Sequence, residues 1–239
     1  MNGYKIDGNQ EVIFSQDMTV AELLDADYRL LSILERLDIQ LPFGDISVGQ
    51  MCERYDMSAE LFLTICRIYA NVEDDIVLER LSVSDLPVVL KFLESSHSFY
   101  LNVVLPRIER GVEEVLALCD VRQQLLLRRF YEGYASEIRE HLSYEESVMF
   151  PYLKSLLAGE KIESTMIDEC LDNHTDICEK IDDMKSIIIK YLPESCSIHQ
   201  RCGLLYDIYT MREELSHHTR LEMELLAPLA LEAERRIGL

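Results

Sequence analysis

Two short stretches of the chain repeat the same potential metal ligands at a constant separation. The stretch His141-Leu-Ser-Tyr-Glu145 recurs as His218-Thr-Arg-Leu-Glu222, so that each ligand lies 77 residues from its counterpart. The histidines upstream of the two copies, His97 and His174, are also 77 residues apart. Imidazole and carboxylate groups are common ligands of divalent transition metals. The duplicated pattern therefore predicts a metal site.

The spacing within each copy suits a helix, because residues four apart lie on the same helical face. A single histidine on a helix, or one His-x-x-x-Glu, is more often structural than metal-binding. The exact duplication makes that explanation much weaker for this chain. We therefore expect six metal ligands: His97, His141, Glu145, His174, His218 and Glu222.

Helical periodicity predicts the elements that must bring these ligands together. Four long helical segments are expected at 85–117, 121–157, 162–191 and 198–236. Turn residues lie between them at 118–120, 158–160 and 193–197. Pro106 and Pro151 fall inside the periodic segments and should kink or locally unwind them.

The turns fall where antiparallel helices need them. The midpoint of His97 and His141 is residue 119, and the midpoint of His174 and His218 is residue 196. The midpoint of Glu145 and His174 is 159.5, at the remaining turn. Residues equally distant from a turn lie level on neighbouring helices, so an up-down-up-down four-helix bundle would carry all six ligands at one layer.

Six such ligands exceed what one tetrahedral zinc needs and suit two metals that share bridging carboxylates. Iron is favoured for a thiolate-free site of this kind in a helical bundle, with manganese and zinc as less favoured occupants. We expect two iron ions, Fe2+ or Fe3+, with a bridging oxo or hydroxo group. Open positions would accept a small exogenous ligand.

Composition points to an all-α protein. Hydrophobic residues make up 48% of the chain, whereas nine Gly and six Pro are few for a sheet rich in tight turns. The formal net charge of −21 disfavours nucleic acid and anionic membranes as partners. Seven scattered cysteines without a C-x-x-C pair, and a polar N-terminus, indicate a cytoplasmic protein. A monomer and a homodimer both remain open.

The chain divides into three predicted parts. Residues 1–16 form a polar lead, 17–76 a small helical N-terminal domain, and 80–239 the helical bundle. Thr19 followed by Glu22 predicts a capping box at the start of the first helix of the N-terminal domain. An apolar stripe predicts that this helix continues over 19–37.

Other polar residues near the expected ligands receive structural interpretations. His217 should face solvent or lie behind the ligands, and His199 should be exposed. Glu137 and Glu214 precede ligand histidines by four residues and are expected either to orient the site or to be solvated. Tyr100 is expected to pack in the core.

At these residues the chain resembles the hemerythrin-like bundles, and in particular the iron–sulfur cluster repair di-iron proteins. The resemblance covers about residues 80–236. It is carried by His97-Ser-Phe-Tyr100, His141-Leu-Ser-Tyr-Glu145 with Phe150-Pro151, Asp172-Asn-His174, and His218-Thr-Arg-Leu-Glu222. Residues 17–71 resemble the small N-terminal domain of that family, except that Leu41-Pro42-Phe43 stands where the family carries adjacent cysteines.

The resemblance implies a cytoplasmic di-iron protein that helps to restore iron–sulfur clusters after nitrosative or oxidative stress. It would do so by donating iron or by binding and reducing NO, with iron–sulfur proteins as clients, and whether it is an enzyme stays open. The alternative is a module that binds or senses O2 or NO and signals to a protein partner. A helix-turn-helix reader of DNA at 46–69 has little support, because only Arg54 and Arg67 are basic there.

Overall fold

A computed structural model describes residues 5–6, 12–72, 77–160 and 176–238, with side chains described within 14–72, 77–160 and 180–238. Its helices are α1 (Val20–Ala26), α2 (Leu31–Arg36), α3 (Val48–Arg54), α4 (Ala59–Tyr69), α5 (Leu86–Phe99), α6 (Leu105–Leu116), α7 (Val121–Tyr144), α8 (Phe150–Leu157), α9 (Asp176–Tyr191), α10 (Ile198–Leu221) and α11 (Ala227–Ile237). Two-residue strands, β1 (Lys5–Ile6) and β2 (Val12–Ile13), pair antiparallel. The predicted all-α class is confirmed.

Short turns and π-helical segments connect several of these helices. The part of the chain that the structure describes has 3-10 turns at Tyr28–Leu30, Leu78–Arg80 and Val83–Asp85. In the described residues, three π-helical segments occupy Tyr100–Val104, Glu145–Met149 and Glu222–Leu226, so that α5 continues into α6, α7 into α8, and α10 into α11. No helix in the described part of the chain is both long and apolar enough to span a membrane.

The N-terminal helices begin at side-chain caps. The Thr19 hydroxyl accepts from the Glu22 N–H at 3.1 Å, and the Glu22 carboxylate accepts from the Thr19 N–H at 2.8 Å. This confirms the predicted capping box. A single helix over 19–37 was expected, but α1 ends at Ala26. Asp27 adopts an extended backbone, and its carboxylate accepts the Arg29 N–H to begin a 3-10 turn before α2.

The structure divides into two compact units. The first comprises Met1–Ser95, Leu156–Lys161 and Arg220–Leu239, and the second comprises Ser96–Ser155 and Ile162–Thr219. The division passes through α5, α8 and α10, so the proposed domain boundary near residues 76–80 stays a prediction. Within the first unit, the Arg220 guanidinium donates to the Ile68 carbonyl at 3.3 Å, joining the C-terminal residues to α4.

One hydrophobic core joins four helical segments of the second unit. Ile108 of α6, Ile138 of α7, Met184 of α9 and Ile208 of α10 belong to the same core and are fully buried. The other residues of this core recur at helical spacing along each of the four helices, so one apolar face of every segment is buried. These four segments form the predicted helical bundle.

Side-chain pairs within the second unit show that successive segments are antiparallel. The Arg128 guanidinium donates to the Glu113 carboxylate at 2.7 Å, and this pair of residues is centred on 120.5, near the first predicted turn. The Arg212 guanidinium donates to the Asp182 carboxylate at 2.9 Å, centred on residue 197, near the third turn.

Glu137 of α7 pairs with Lys180 of α9, and these residues are centred on 158.5, near the second turn. The midpoint of each of these three pairs lies within two residues of the midpoint predicted from the ligands on either side of the same turn. The up-down-up-down arrangement inferred from the sequence is therefore confirmed.

Candidate metal centre

Each π-helical segment ends immediately before a residue followed by proline. Pro106, Pro151 and Pro228 occupy the second position of α6, α8 and α11. The residue before each proline donates its backbone N–H five residues back, to the carbonyl of Tyr100, Glu145 or Glu222. Proline has no N–H for the regular helical bond, so the helix widens around it. The expected disturbance at Pro106 and Pro151 is thus a π turn.

Glu145 is the centre of the candidate site. Its Oε1 lies 2.8 Å from His141 Nε2. Its Oε2 lies 3.0 Å from His97 Nε2 and 3.4 Å from His218 Nε2. The structure therefore brings four of the six predicted ligands together within the second unit, around one carboxylate.

The site is buried. The side chains of His97, Glu145 and His218 are at most 1% exposed, and that of His141 is 13% exposed. Burial alone would raise the pKa of the Glu145 carboxyl, since a low dielectric disfavours its charge. The three imidazoles outweigh this effect and hold the pKa of Glu145 well below its usual value. The group is therefore a carboxylate at neutral pH.

This donor set fits a divalent transition metal. One ligand atom from each of His141, Glu145 and His218 lies within 4.8 Å of the others. His97 Nε2 is buried and close to the Glu145 carboxylate, yet it makes no hydrogen bond. Buried polar atoms are rarely left without a hydrogen bond. A cation that both groups could bind would remove the cost of this arrangement.

Aromatic rings enclose the imidazoles. The Phe150 ring stacks on His97 at a centroid distance of 5.1 Å, and the Tyr100 ring meets His218 edge-on at 5.8 Å. The Tyr100 hydroxyl donates to the Glu214 carbonyl at 3.2 Å, and the Glu214 carboxylate lies 3.4 Å away. Tyr100 is completely buried, as its expected packing role requires. These rings limit both water access and imidazole rotation.

Two predicted ligands remain, His174 and Glu222. His174 lies outside the described residues. Glu222 begins the π-helical segment that continues α10, four residues after His218, and it is 1% exposed. It thus occupies the same position relative to His218 that Glu145 occupies relative to His141.

The other two histidines, His199 and His217, were not expected to bind metal. His199 is exposed, as expected. His217 is 3% exposed, which excludes a solvent-facing ring and leaves the alternative position behind the ligands. Leu215, two residues earlier, and His218, the next residue, are also buried, so α10 is enclosed on more than one face near the site. The spacing of residue types along the helix does not reveal this enclosure.

Glu146 is a site residue that sequence reasoning missed. Its Oε1 lies 3.1 Å from His97 Nδ1, on the opposite edge of the ring from Glu145. The available signal was only the adjacency of two glutamates. Consecutive residues on a regular helix point about 100° apart, so nothing in that pattern indicated that both reach one imidazole.

Comparison with known proteins identifies the class to which this site belongs. The model of the hemerythrin HHE cation binding domain family matches residues 100–230, more than half of the chain. The chain belongs to this family. The matched range contains every predicted ligand except His97, which lies three residues before it.

A more particular similarity comes from a curated protein. The chain is 21% identical over 187 residues to the iron-sulfur cluster repair protein ScdA of Staphylococcus haemolyticus (strain JCSC1435). The aligned region covers 77% of this chain and 83% of that protein. No solved structure matches the chain.

Proposed function

We propose that this protein binds two iron ions and helps to repair iron–sulfur clusters damaged by nitrosative or oxidative stress. The observation that carries the proposal is the Glu145 carboxylate, which has three histidine Nε2 atoms within 3.4 Å of it. Membership of the cation-binding hemerythrin family supports the metal site. The similarity to ScdA, a protein named for iron–sulfur cluster repair, supports the biological role.

The proposed ligands are those of the duplicated pattern: His97, His141, Glu145, His174, His218 and Glu222. Glu222 is included because it follows His218 by one helical turn and is buried at the start of a π-helical segment, as Glu145 is. His174 is included because the sequence repeat pairs it with His97. One metal would leave some of these six ligands unused, whereas two metals that share the two carboxylates would use all of them.

Iron bound there would supply redox chemistry and labile metal: it can exchange electrons with a small diatomic molecule such as NO, or leave as donated iron. The protein's own residues perform the remaining tasks. Glu145 supplies a fixed negative charge in a low dielectric, which strengthens cation binding. Phe150 and Tyr100 exclude water from the imidazoles. Partial exposure of His141 leaves one side from which a small ligand can approach.

Repair in this protein would depend on the bundle rather than on thiols of the N-terminal helices. No adjacent cysteines are present at Leu41-Pro42-Phe43. Cys52 and Cys66 are both buried, and burial raises the pKa of the Cys52 thiol to about 12 and that of Cys66 well above its usual value. Thiols in this state are poor nucleophiles and poor metal ligands at neutral pH.

The proposal is tested by metal analysis and a repair assay on the same preparations. Protein produced anaerobically in iron-rich medium should contain two irons per chain. It should also restore activity to a client enzyme whose iron–sulfur cluster has been damaged by NO. Glu145→Ala should lose both properties, whereas His199→Ala, which changes an exposed histidine, should keep them. Wild-type protein with negligible iron, or full repair by Glu145→Ala, would refute the proposal.

The second candidate function is sensing or binding of O2 or NO, with a signal passed to a protein partner. The observation that favours it is the absence of the N-terminal cysteine pair, which removes one route for redox chemistry or metal transfer. Reversible NO binding without NO consumption, accompanied by ligand-dependent affinity for a partner, would favour sensing. Catalytic NO consumption or transfer of iron to a client would favour repair.

A further inference from the structure

The His97 ring lies between two consecutive carboxylates. Nε2 of its imidazole lies 3.0 Å from Glu145 Oε2, and Nδ1 lies 3.1 Å from Glu146 Oε1. His97 is completely buried, whereas the Glu146 side chain is 48% exposed. One carboxylate therefore faces the interior of the site and the other reaches the ring from the solvent side.

The two glutamates differ in their surroundings. Glu145 has three imidazoles around it, and we propose it as a metal ligand. Within the described residues, Glu146 forms its hydrogen bond and its ion pair with the same atom, His97 Nδ1. Glu146 contacts the outer nitrogen of His97 and is half exposed, so it has the position of a supporting group rather than of a ligand.

A neutral imidazole carries one proton, and the nitrogen that keeps it cannot bind a metal. A carboxylate beside Nδ1 favours the tautomer in which Nδ1–H donates a hydrogen bond. Nε2 then presents its lone pair. Metal-bound histidines commonly donate their other N–H to a carboxylate, which also fixes the ring orientation.

We propose that Glu146 is a positioning residue: it accepts the Nδ1–H of His97 and so holds the ring with Nε2 directed toward the metal centre. This inference rests on the proposed metal function. Phe150 assists it, because its ring stacks on His97 with 24° between the planes and restricts rotation. Glu146 lies in the π-helical segment that begins at Glu145, and Phe150 follows that segment directly. This short stretch therefore supplies one proposed ligand and two supports for another.

An exposed glutamate beside a histidine can also be a simple surface ion pair. Such a pair would contribute through net charge, with little dependence on the position of the acceptor oxygen. The two explanations differ in what they expect of Glu146→Gln, because an amide oxygen accepts the hydrogen bond without carrying charge. They also differ for Glu146→Asp, which keeps the charge but shortens the side chain.

The experiment uses the full chain, stripped of metal and titrated with Co(II) in competition with a chelator. Visible ligand-field bands report how His97 and its neighbours bind the ion. Glu146→Ala and Glu146→Asp should weaken one of two bound Co(II) ions by roughly 10–100-fold and change the bands. Glu146→Gln should stay close to wild type. The matched control is Glu140→Ala, which removes an equal charge from an exposed residue of α7 whose carboxylate accepts from Ser136.

The outcomes separate the two proposals. If wild-type protein binds neither Co(II) nor iron, the proposed function fails. If wild type binds two ions and Glu146→Ala binds them with the same affinity and spectrum, the positioning role is overturned. Equal weakening in Glu146→Ala, Glu146→Gln and Glu140→Ala would also overturn it, since loss of charge alone would then explain the effect. Melting of the metal-free variants checks that folding is unchanged.

Discussion

His97 Nε2 and Glu145 Oε2 lie 3.0 Å apart although the two residues are 48 positions apart in the sequence. The contact joins the first and second helical segments of the bundle, on either side of the turn near residue 119. Both groups are almost completely buried. Two buried polar groups brought together by distant parts of the chain need a compensating interaction, which a cation bound by both would provide.

Removal of bound metal should destabilise the protein. An ion that binds only the folded state stabilises it by mass action, by about 2.7 kcal/mol when the free ion is 100 times its Kd. We expect the melting temperature of iron-loaded protein, measured by calorimetry, to fall when a chelator is added. His218→Ala should respond much less, because it lacks a buried imidazole of the site. A chelator-independent melting temperature in wild-type protein would contradict the metal proposal.

The layout of the bundle could be predicted because antiparallel hairpins impose a simple rule on residue numbers. Residues that meet must be equally distant from their turn, and the pairs Glu113–Arg128 and Asp182–Arg212 obey that rule. The same rule predicts that His97 lies level with His141, and both imidazoles do lie against the Glu145 carboxylate.

The details that escaped prediction depend on interactions that helical periodicity does not encode. Glu146 meets His97 at the start of a π-helical segment, where the regular relation between neighbouring side chains does not hold. The break after α1 depends on the extended backbone of Asp27, which a continuous apolar stripe concealed. His217 is buried, and its position beside His218 did not decide between the two places expected for it, facing solvent or lying behind the ligands.

Pro151→Ala should separate stability from metal binding. The substitution restores an N–H that can bond four residues back, which favours a regular helix over the π turn. We expect a higher melting temperature for the metal-free protein. The π turn that begins at Glu145 would be lost, so the affinity for iron should fall by about tenfold or more, as for other changes in ligand support.

Pro87→Ala is the matched control for Pro151→Ala. Pro87 lies in the first turn of α5 and is exposed, where proline causes no break in the hydrogen-bond pattern. Neither metal affinity nor helix geometry should change in this variant. Unaltered iron affinity in Pro151→Ala would show that the π turn does not hold Glu145 in place.

Tyr100→Phe should reduce stability without removing metal. The buried Tyr100 hydroxyl donates to the Glu214 carbonyl, and a hydrogen bond of this kind contributes about 1 kcal/mol. Urea denaturation of the metal-free protein should detect that loss. Tyr206→Phe, at a 75% exposed position, should have no effect. A large loss of iron in Tyr100→Phe would instead assign the hydroxyl a direct role at the site.

The cysteines should differ in reactivity according to their exposure. Cys202 is exposed, whereas Cys52 is buried and has its pKa raised by that burial to about 12. At pH 8 its thiolate fraction would be about one in ten thousand, and the thiolate is the reactive form. A thiol reagent added to native protein should therefore label Cys202 quickly and Cys52 only after denaturation. Cys202→Ala should remove one fast-reacting thiol.

The raised pKa of Cys52 also predicts how stability depends on alkaline pH. A group that holds its proton more tightly in the folded state gives its full stabilisation below the unfolded pKa, near 9.0. That contribution is lost as the pH rises from 9 toward 12, because the unfolded thiol ionises first. Urea denaturation at increasing pH should show a steeper decline for wild type than for Cys52→Ala. Identical slopes would mean that the Cys52 thiol is accessible to solvent and ionises normally in the folded protein.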